Sequence, residues 1–446
     1  MARAIMMATL FAVSSLAAAA DNSNDAKLFD SPALASAYRE NLSDDEKVAG
    51  LSKFWSEVKY NFVYVERLKE LDWDKLYLDY LPKVRATTST VEYYKVLSEM
   101  CAKLRDGHTN VYPARELWDR EMANPKIRTR LVEGRVVVTE VFDPALIAQG
   151  VQPGVEVVAV DGEPAVAYGR RAVAPYVSAS TTQDMEQRAF GYQFLTGPIQ
   201  KAPRVTYRDA GGKQFDVALK RYASADISAA RTRKEPFELR MLPDGVAYVA
   251  LNSFGDDAAA VAYLAAFDQV SKARALVIDL RNNGGGNSSV GYKVLATLTD
   301  KPFAPGRWAT RKYLPAYRAW GREMPNLVEM GGARNPDPAR RFTGPVRVLT
   351  SAGTYSAAED FAIAFDALGR GVIVGETTGG STGQPLMVKL PGGGMARICT
   401  KADTYPDGRE WVGIGIKPGL EVHPTVADVQ QGRDTVLEAA IRSLKL

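Results

Sequence analysis

The chain has 446 residues, 46% of them hydrophobic and 24% charged, with 56 Lys+Arg set against 52 Asp+Glu. That balance describes a folded globular chain of about three domains and excludes disordered and collagen-like classes. A formal charge of +4 offers no case for nucleic acid as a partner, and with two histidines in the chain any metal site would draw most of its ligands from carboxylates. No cofactor and no metal are expected.

Residues 1–20 carry one charge, Arg3, then the apolar run Ile5 to Val13 and the stretch Ala18-Ala19-Ala20, which are the features of a cleavable secretory leader. The run is short for a spanning helix, and no other segment reaches about eighteen consecutive apolar residues. A periplasmic or secreted protein without a membrane span is therefore expected. Residues 21–44 are polar and patternless and read as a linker. Leu51, Phe54, Trp55 and Val58, and later Leu97, Met100, Cys101 and Leu104, recur at helical spacing, so residues 45–125 read as an N-terminal helical domain. Gly107 is its C-cap candidate, immediately before His108. Cys101 and Cys399 lie too far apart for a spacing signature and are expected to be free, buried thiols.

Residues 130–222 are β-rich, with a strand over 135–141, a short helix over 145–149 and a strand over 157–160 that ends in the turn Asp161-Gly162. The segment Gly150-Val-Gln-Pro-Gly154 through Asp161-Gly162 resembles the signature of a PDZ domain, a module that captures extended peptides by strand addition. This implies a polypeptide ligand; a β-rich spacer without a ligand is the alternative. From about 236 to 446 apolar strands at 246–251, 275–280, 346–350 and 371–374 alternate with helices near 257–271, 288–299 and 356–368, the pattern of an α/β layer around a mainly parallel sheet. The aromatic insertion 303–342, with Trp308, Tyr313, Tyr317 and Trp320, interrupts it. The fold class is thus α/β, in an α+β multidomain arrangement.

Three segments carry candidate chemistry. After strand 275–280 comes Asp279-Leu-Arg-Asn-Asn-Gly-Gly-Gly286, whose glycines let backbone N–H groups approach a ligand, as a phosphate cradle or an oxyanion hole requires. No Gly-Lys-Ser/Thr follows, which disfavours phosphate. In Thr350-Ser-Ala-Gly-Thr-Tyr-Ser356-Ala-Ala-Glu359 a serine opens a helix at the C-terminal end of a parallel strand, where α/β proteins place ligands. Ser356-x-x-Glu359 is equally a capping box. In Arg105-Asp-Gly-His-Thr109, His108 follows a helix whose dipole would favour its imidazolium form; His423, before a proline, reads as surface.

Taken in order, these pieces resemble the C-terminal processing, or tail-specific, serine peptidases. Asp279 to Gly286 matches the family's D-L-R-x-N-x-G-G, Ser356-Ala-Ala-Glu359 its S-A-S/A-E nucleophile motif, and Gly375-Glu-Thr-Thr-Gly-Gly380 and Gly415-Ile-Lys-Pro-Gly419 its later G-x-x-T-x-G and G-V/I-x-P-D motifs. The resemblance implies crotonase-like ββα layers in the core. One branch of the family uses a lysine base, at a position held here by Ser381. The branch that includes the tricorn protease core and the interphotoreceptor retinoid-binding proteins carries D-G-H-T, which Asp106 to Thr109 match.

By that resemblance Ser356 is the nucleophile, His108 the base, and the N–H groups of Gly285 or Gly286 and of Ala357 the oxyanion hole. The tricorn core has a serine before the histidine and a glutamate before the last motif; Gly107 and Trp411-Val-Gly-Ile-Gly415 stand there instead, and Gly419 replaces an aspartate. Glu376 and Glu410 are the candidate orienting acids, Glu376 first. The function implied is a serine peptidase cleaving unfolded tails or oligopeptides, with a catalytically silent binder of peptides or lipophilic ligands as the alternative and an esterase as a third reading.

Overall fold

The structure, a computed structural model, describes residues 32–444. The leader over 1–20 and the first part of the linker lie outside the described residues. The first unit is built from helices Asp44–Asn61, Val65–Glu70, Trp73–Arg85 and Thr90–Ala102. Ser43 and Glu46 close a capping box at the start of the first, and Ser89 caps the last by accepting from Glu92 N–H. Their inward stripes, Leu51, Phe54 and Val58 with Leu97, Met100 and Cys101, are fully buried. Burial of each such large side chain stabilises by about 1.5–3 kcal/mol.

That core is not self-contained. It is completed by Val388, Ala396, Ile398 and Cys399, from strands Pro385–Lys389 and Met395–Cys399, and by Leu390 just after the first of these, near the other end of the chain. The strand Asn110–Tyr112 pairs antiparallel with Met395–Cys399, which ties the segment after His108 to the C-terminal unit. Cys101 and Cys399 are both free and buried.

The β-rich unit runs antiparallel through Ile127–Val132, Arg135–Val141, Glu156–Val160, Arg204–Arg208 and Gln214–Ala218, with Ile127–Val132 at one edge. Helix Pro144–Ala148 sits where the sequence places it, and the Asp161-Gly162 turn has positive φ at both residues. Alternating Val136, Val138, Val157, Val205 and Val217 face a separate core.

The α/β unit holds a six-stranded sheet. Strands Val246–Leu251, Ala275–Asp279, Val346–Thr350, Val372–Gly375 and Leu420–Glu421 are mutually parallel, and Phe237–Leu242 joins antiparallel at the edge. Every residue of Val246–Leu251 and Ala275–Asp279 is buried, because helices cover both faces: Ala258–Ala265, Ser288–Leu295 and Ala357–Ala367 on one, Thr435–Ser443 on the other. The helix expected over 257–271 breaks at Ala266 into Ala258–Ala265 and Phe267–Val270, and the one expected to reach 299 ends at Leu295.

The aromatic insertion is ordered. Its strands Arg307–Arg311 and Asn326–Met330 extend a sheet onto Lys401–Thr404, and Arg311 Nη1 donates to Lys59 O at 2.6 Å. It therefore leans on the first helix. Among the described residues no helix is long and apolar enough to cross a membrane.

Candidate active site

Ser356 stands between the parallel strand Val346–Thr350 and helix Ala357–Ala367, with φ +57° and ψ −124°. A left-handed φ at a non-glycine residue costs about 1–3 kcal/mol and persists only where the surroundings over-determine it. Here Ser356 N–H is held by Glu359 Oε2 at 3.0 Å and by Ser381 O at 3.1 Å. The neighbouring Tyr355 N–H donates to Asn283 O at 3.0 Å. The capping box with Glu359 is present. Glu359 N–H donates to Ser356 O at 2.7 Å, and Ser356 Oγ lies 3.2 Å from His108 Nε2.

His108 reaches that point from a turn, not from a helix end. Helix Thr90–Ala102 is capped at Lys103, so Gly107 is not its C-cap. The turn is locked by Thr109 Oγ1 donating to Asp106 Oδ2 at 2.6 Å, Gly107 N–H donating to Ser180 Oγ at 3.0 Å, and Arg397 Nη2 donating to Gly107 O at 3.1 Å. The Tyr355 ring stacks on the imidazole at 5.2 Å and 4°. Burial, and after it the nearby cations Arg397, Arg188 and Lys401, push the His108 pKa down to about 3. The expected dipole stabilisation of the imidazolium is thus overridden, because desolvation and like charge act on a ring that is 5% exposed.

The other ring nitrogen, Nδ1, lies 2.8 Å from Ser381 Oγ. Glu376 is elsewhere: its carboxylate is held by Arg130 Nη2 and lies 3.3 Å from His423 Nδ1, and it makes no hydrogen bond to His108. The expectation that Glu376 orients the base is therefore corrected, since an arginine and a surface histidine engage its oxygens. Glu410 is exposed, in an isolated bridge to Thr404. His423 is exposed as expected.

Glu359 organises both serines. Its fully buried carboxylate accepts from Ser356 N–H at 3.0 Å, Ser381 N–H at 3.1 Å, Gly380 N–H at 2.7 Å and Thr378 Oγ1 at 2.5 Å. Burial pushes its pKa up to about 8 against the pull of these four donors. The G-x-x-T-x-G motif is thereby explained: Thr378 and Gly380 are the groups that face this carboxylate.

In the glycine loop Gly285 and Gly286 have φ +97° and +134°. A Cβ on Gly285 would stand 2.6 Å from Ser356 Cβ, and one on Gly286 would stand 2.1 Å from Phe254 O. The loop therefore presses against the serine only as glycine. Gly285 N–H is already given to Asn283 Oδ1 at 2.9 Å, which removes it as an oxyanion donor. Among the described residues, no hydrogen-bond acceptor engages the N–H groups of Gly286 or Ala357.

The family model "Peptidase family S41" matches residues 245–422, and the "Tricorn protease C1 domain" model matches residues 47–102. Over residues 245–422 the chain is similar to peptidase family S41. The chloroplastic C-terminal processing peptidase of Tetradesmus obliquus is 30% identical over 192 residues, which are 42% of this chain and 38% of that protein. The match thus spans well under half the length of that relative. Mature CPAF complexed with lactacystin superposes with TM-score 0.71 at 15% identity, over 90% of this chain and 98% of the other. The photosystem II D1 C-terminal processing protease superposes with TM-score 0.50 at 21% identity, over 87% and 98%. At such identities these two likenesses speak for the S41 fold.

Ser381 is the residue whose role sequence reasoning missed. Its signal was present, because a serine in place of the lysine leaves a small hydroxyl at the position facing the base.

Proposed function

We propose that this chain is a serine peptidase that cleaves polypeptide tails or oligopeptides through an acyl-enzyme formed on Ser356. The observation that carries this reading is the 3.2 Å approach of His108 Nε2 to Ser356 Oγ, between residues 248 positions apart. With Nδ1–H donated to Ser381 Oγ, Nε2 is the basic nitrogen and takes the Ser356 proton as Oγ attacks the scissile carbonyl carbon. The carbonyl π electrons move onto oxygen, and the Gly286 and Ala357 N–H groups receive that oxyanion, at roughly 3 to 4 kcal/mol per donor.

The imidazolium formed in this step has no carboxylate beside it. Its counter-charge is the oxyanion itself, which at about 4 Å and an effective dielectric near 20 is worth ~4 kcal/mol. The ring then protonates the leaving amine, the C–N bond breaks, and water activated by the same nitrogen hydrolyses the ester. The S41 similarity and the relative that processes C-termini support tails as the substrate class. The leader-like residues 1–20 support action in the periplasm or outside the cell, and the resemblance of 150–162 to a PDZ domain supports capture of extended chain. The missing orienting acid motivates a silent binder as the alternative; Ser381 Oγ, 2.8 Å from Nδ1, supports the peptidase reading in its place.

A serine-directed fluorophosphonate tests the reading. Labelling of the wild type that disappears in Ser356→Ala and falls sharply in His108→Ala is expected, together with peptide hydrolysis. Labelling that survives Ser356→Ala would overturn it.

A further inference from the structure

A cavity of about 890 Å³ opens between the edge strand Ile127–Val132 of the β-rich unit, the 231–234 segment and the C-terminal ends of the parallel strands. Six cationic side chains line it, Arg128, Arg130, Arg231, Arg233, Lys234 and Arg281, against two carboxylates, Glu140 and Glu376. Three of the six are neutralised: Arg130 by Glu376, Arg231 by Glu140, and Arg281 by Asp279 and Asp434. Arg128, Arg233 and Lys234 form no ion pair among the described residues.

Arg128 is half-buried. Burial and then the nearby Arg231 push its pKa below the ordinary value, and Glu140, its cross-strand neighbour, offsets them only in part because its carboxylate is ion-paired to Arg231. A partly desolvated cation without a partner is costly, and a carboxylate entering the cavity relieves that cost. The geometry also sets a direction. The rim contains Asn282, three residues before Gly285, and Ser351, five before Ser356, with Ser351 Oγ donating to Arg281 O at 2.9 Å. Along the same wall, the strand Ile127–Val132 has a strand partner on one side only, and the segment Gln187–Tyr192 packs on it, Thr129 Oγ1 donating to Phe190 O at 2.5 Å.

We propose that this cavity binds the acidic side chains of an extended polypeptide on its way to Ser356, so that segments rich in Asp and Glu are the preferred substrates. This rests on the peptidase reading of Ser356. It adds to that reading a charge preference that the family similarity does not supply. Arg128, Arg233 and Lys234 set the preference, and Arg130, already taken by Glu376, contributes little.

The test is read as binding, in the full chain carrying Ser356→Ala so that no turnover intervenes. Fluorescein-labelled peptides with four Glu, or with four Gln in their place, are each made with a free or an amidated C-terminus. Fluorescence anisotropy at low salt is expected to show the Glu peptide binding about tenfold tighter. The advantage should shrink in about 0.5 M NaCl, where screening is strong, and should be lost in Arg128→Gln combined with Lys234→Gln; amidation should change little.

Arg233→Gln combined with Lys234→Gln, both exposed, repeats the test without touching the half-buried arginine and should lose most of the advantage. Equal affinity for the Glu and Gln peptides would overturn the proposal. So would a difference that the substitutions leave intact, or one that follows the terminal carboxylate alone. Because the assay uses a chain without its serine, such a result leaves the fluorophosphonate test of Ser356 standing.

Discussion

Ser381 Oγ lies 2.8 Å from His108 Nδ1, on the opposite edge of the ring from Ser356 Oγ. The hydroxyl takes the orienting place that a carboxylate fills in a Ser-His-Asp site, and its backbone N–H and C=O are fixed by Glu359 and Ser356 N–H. Removing it in Ser381→Ala is expected to cost the 1–2 kcal/mol of one buried hydrogen bond, or roughly a 5- to 30-fold fall in kcat with KM little changed. Glu376→Gln should leave kcat unaltered. Steady-state kinetics on one peptide compares the two, and a larger kcat loss in Glu376→Gln would reverse the assignment.

The low pKa of His108 gives the pH profile a definite sign. With the folded value pushed to about 3 from the ordinary 6.5, the ring is in its basic form throughout the neutral range. The kcat/KM profile, which reports the free enzyme, should show no histidine limb near 6.5. In stability the same group acts unfavourably in acid. Between pH 6.5 and about 3 the unfolded chain holds a proton that the folded chain does not, so its contribution falls as pH is lowered through that window. A histidine limb at the ordinary value in kcat/KM would contradict the buried, cation-flanked geometry.

Glu359→Gln separates an accepting site from mere volume. All four groups around the carboxylate donate, so the amide NH₂ must confront Gly380 N–H or the Ser356 and Ser381 N–H groups. Above about pH 8, where the carboxylate is ionised, a loss of about 2–3 kcal/mol in stability is expected, read from the denaturant midpoint. The kcat should fall at least tenfold because both serines shift. A variant as stable and active as the wild type would show that the site does not need an acceptor there.

Gly107 is needed for Tyr355. A Cβ at position 107 would stand 1.8 Å from the Tyr355 hydroxyl oxygen and 2.8 Å from Asp184 Oδ2, and that hydroxyl donates to the same Asp184 oxygen at 3.3 Å. Gly107→Ala should therefore displace the ring that stacks on His108 and lower kcat by about tenfold or more. Adding Tyr355→Phe removes the atom in closest conflict and should recover part of the loss. Kinetics of the single and double variants decides, and no recovery would place the damage in the backbone turn.

The parallel strands were legible because each is an unbroken apolar run such as Val246–Leu251, and a strand covered on both faces has no other pattern available. The boundary of the helical unit was not. Its core needs Val388 and Ile398, from strands almost 300 positions further on, and nothing local to residues 45–125 encodes that partnership. The same long connection, through Asn110–Tyr112 against Met395–Cys399, is what carries His108 to Ser356.

Within the site, the family resemblance, with Ser381 at the lysine position and D-G-H-T at residues 106–109, already pointed to His108 as the candidate base. Those are matters of residue type and order, which a sequence states outright. Which carboxylate or hydroxyl meets Nδ1, and which glycine N–H is free, depended on side chains converging from separate cores. Glu376 is claimed by Arg130 of the β-rich unit, Gly285 N–H by Asn283, and Ser381 is brought to His108 by the carboxylate of Glu359. A hydrogen bond holds only over about 3 Å, so contacts between residues hundreds of positions apart were decided by tertiary packing alone.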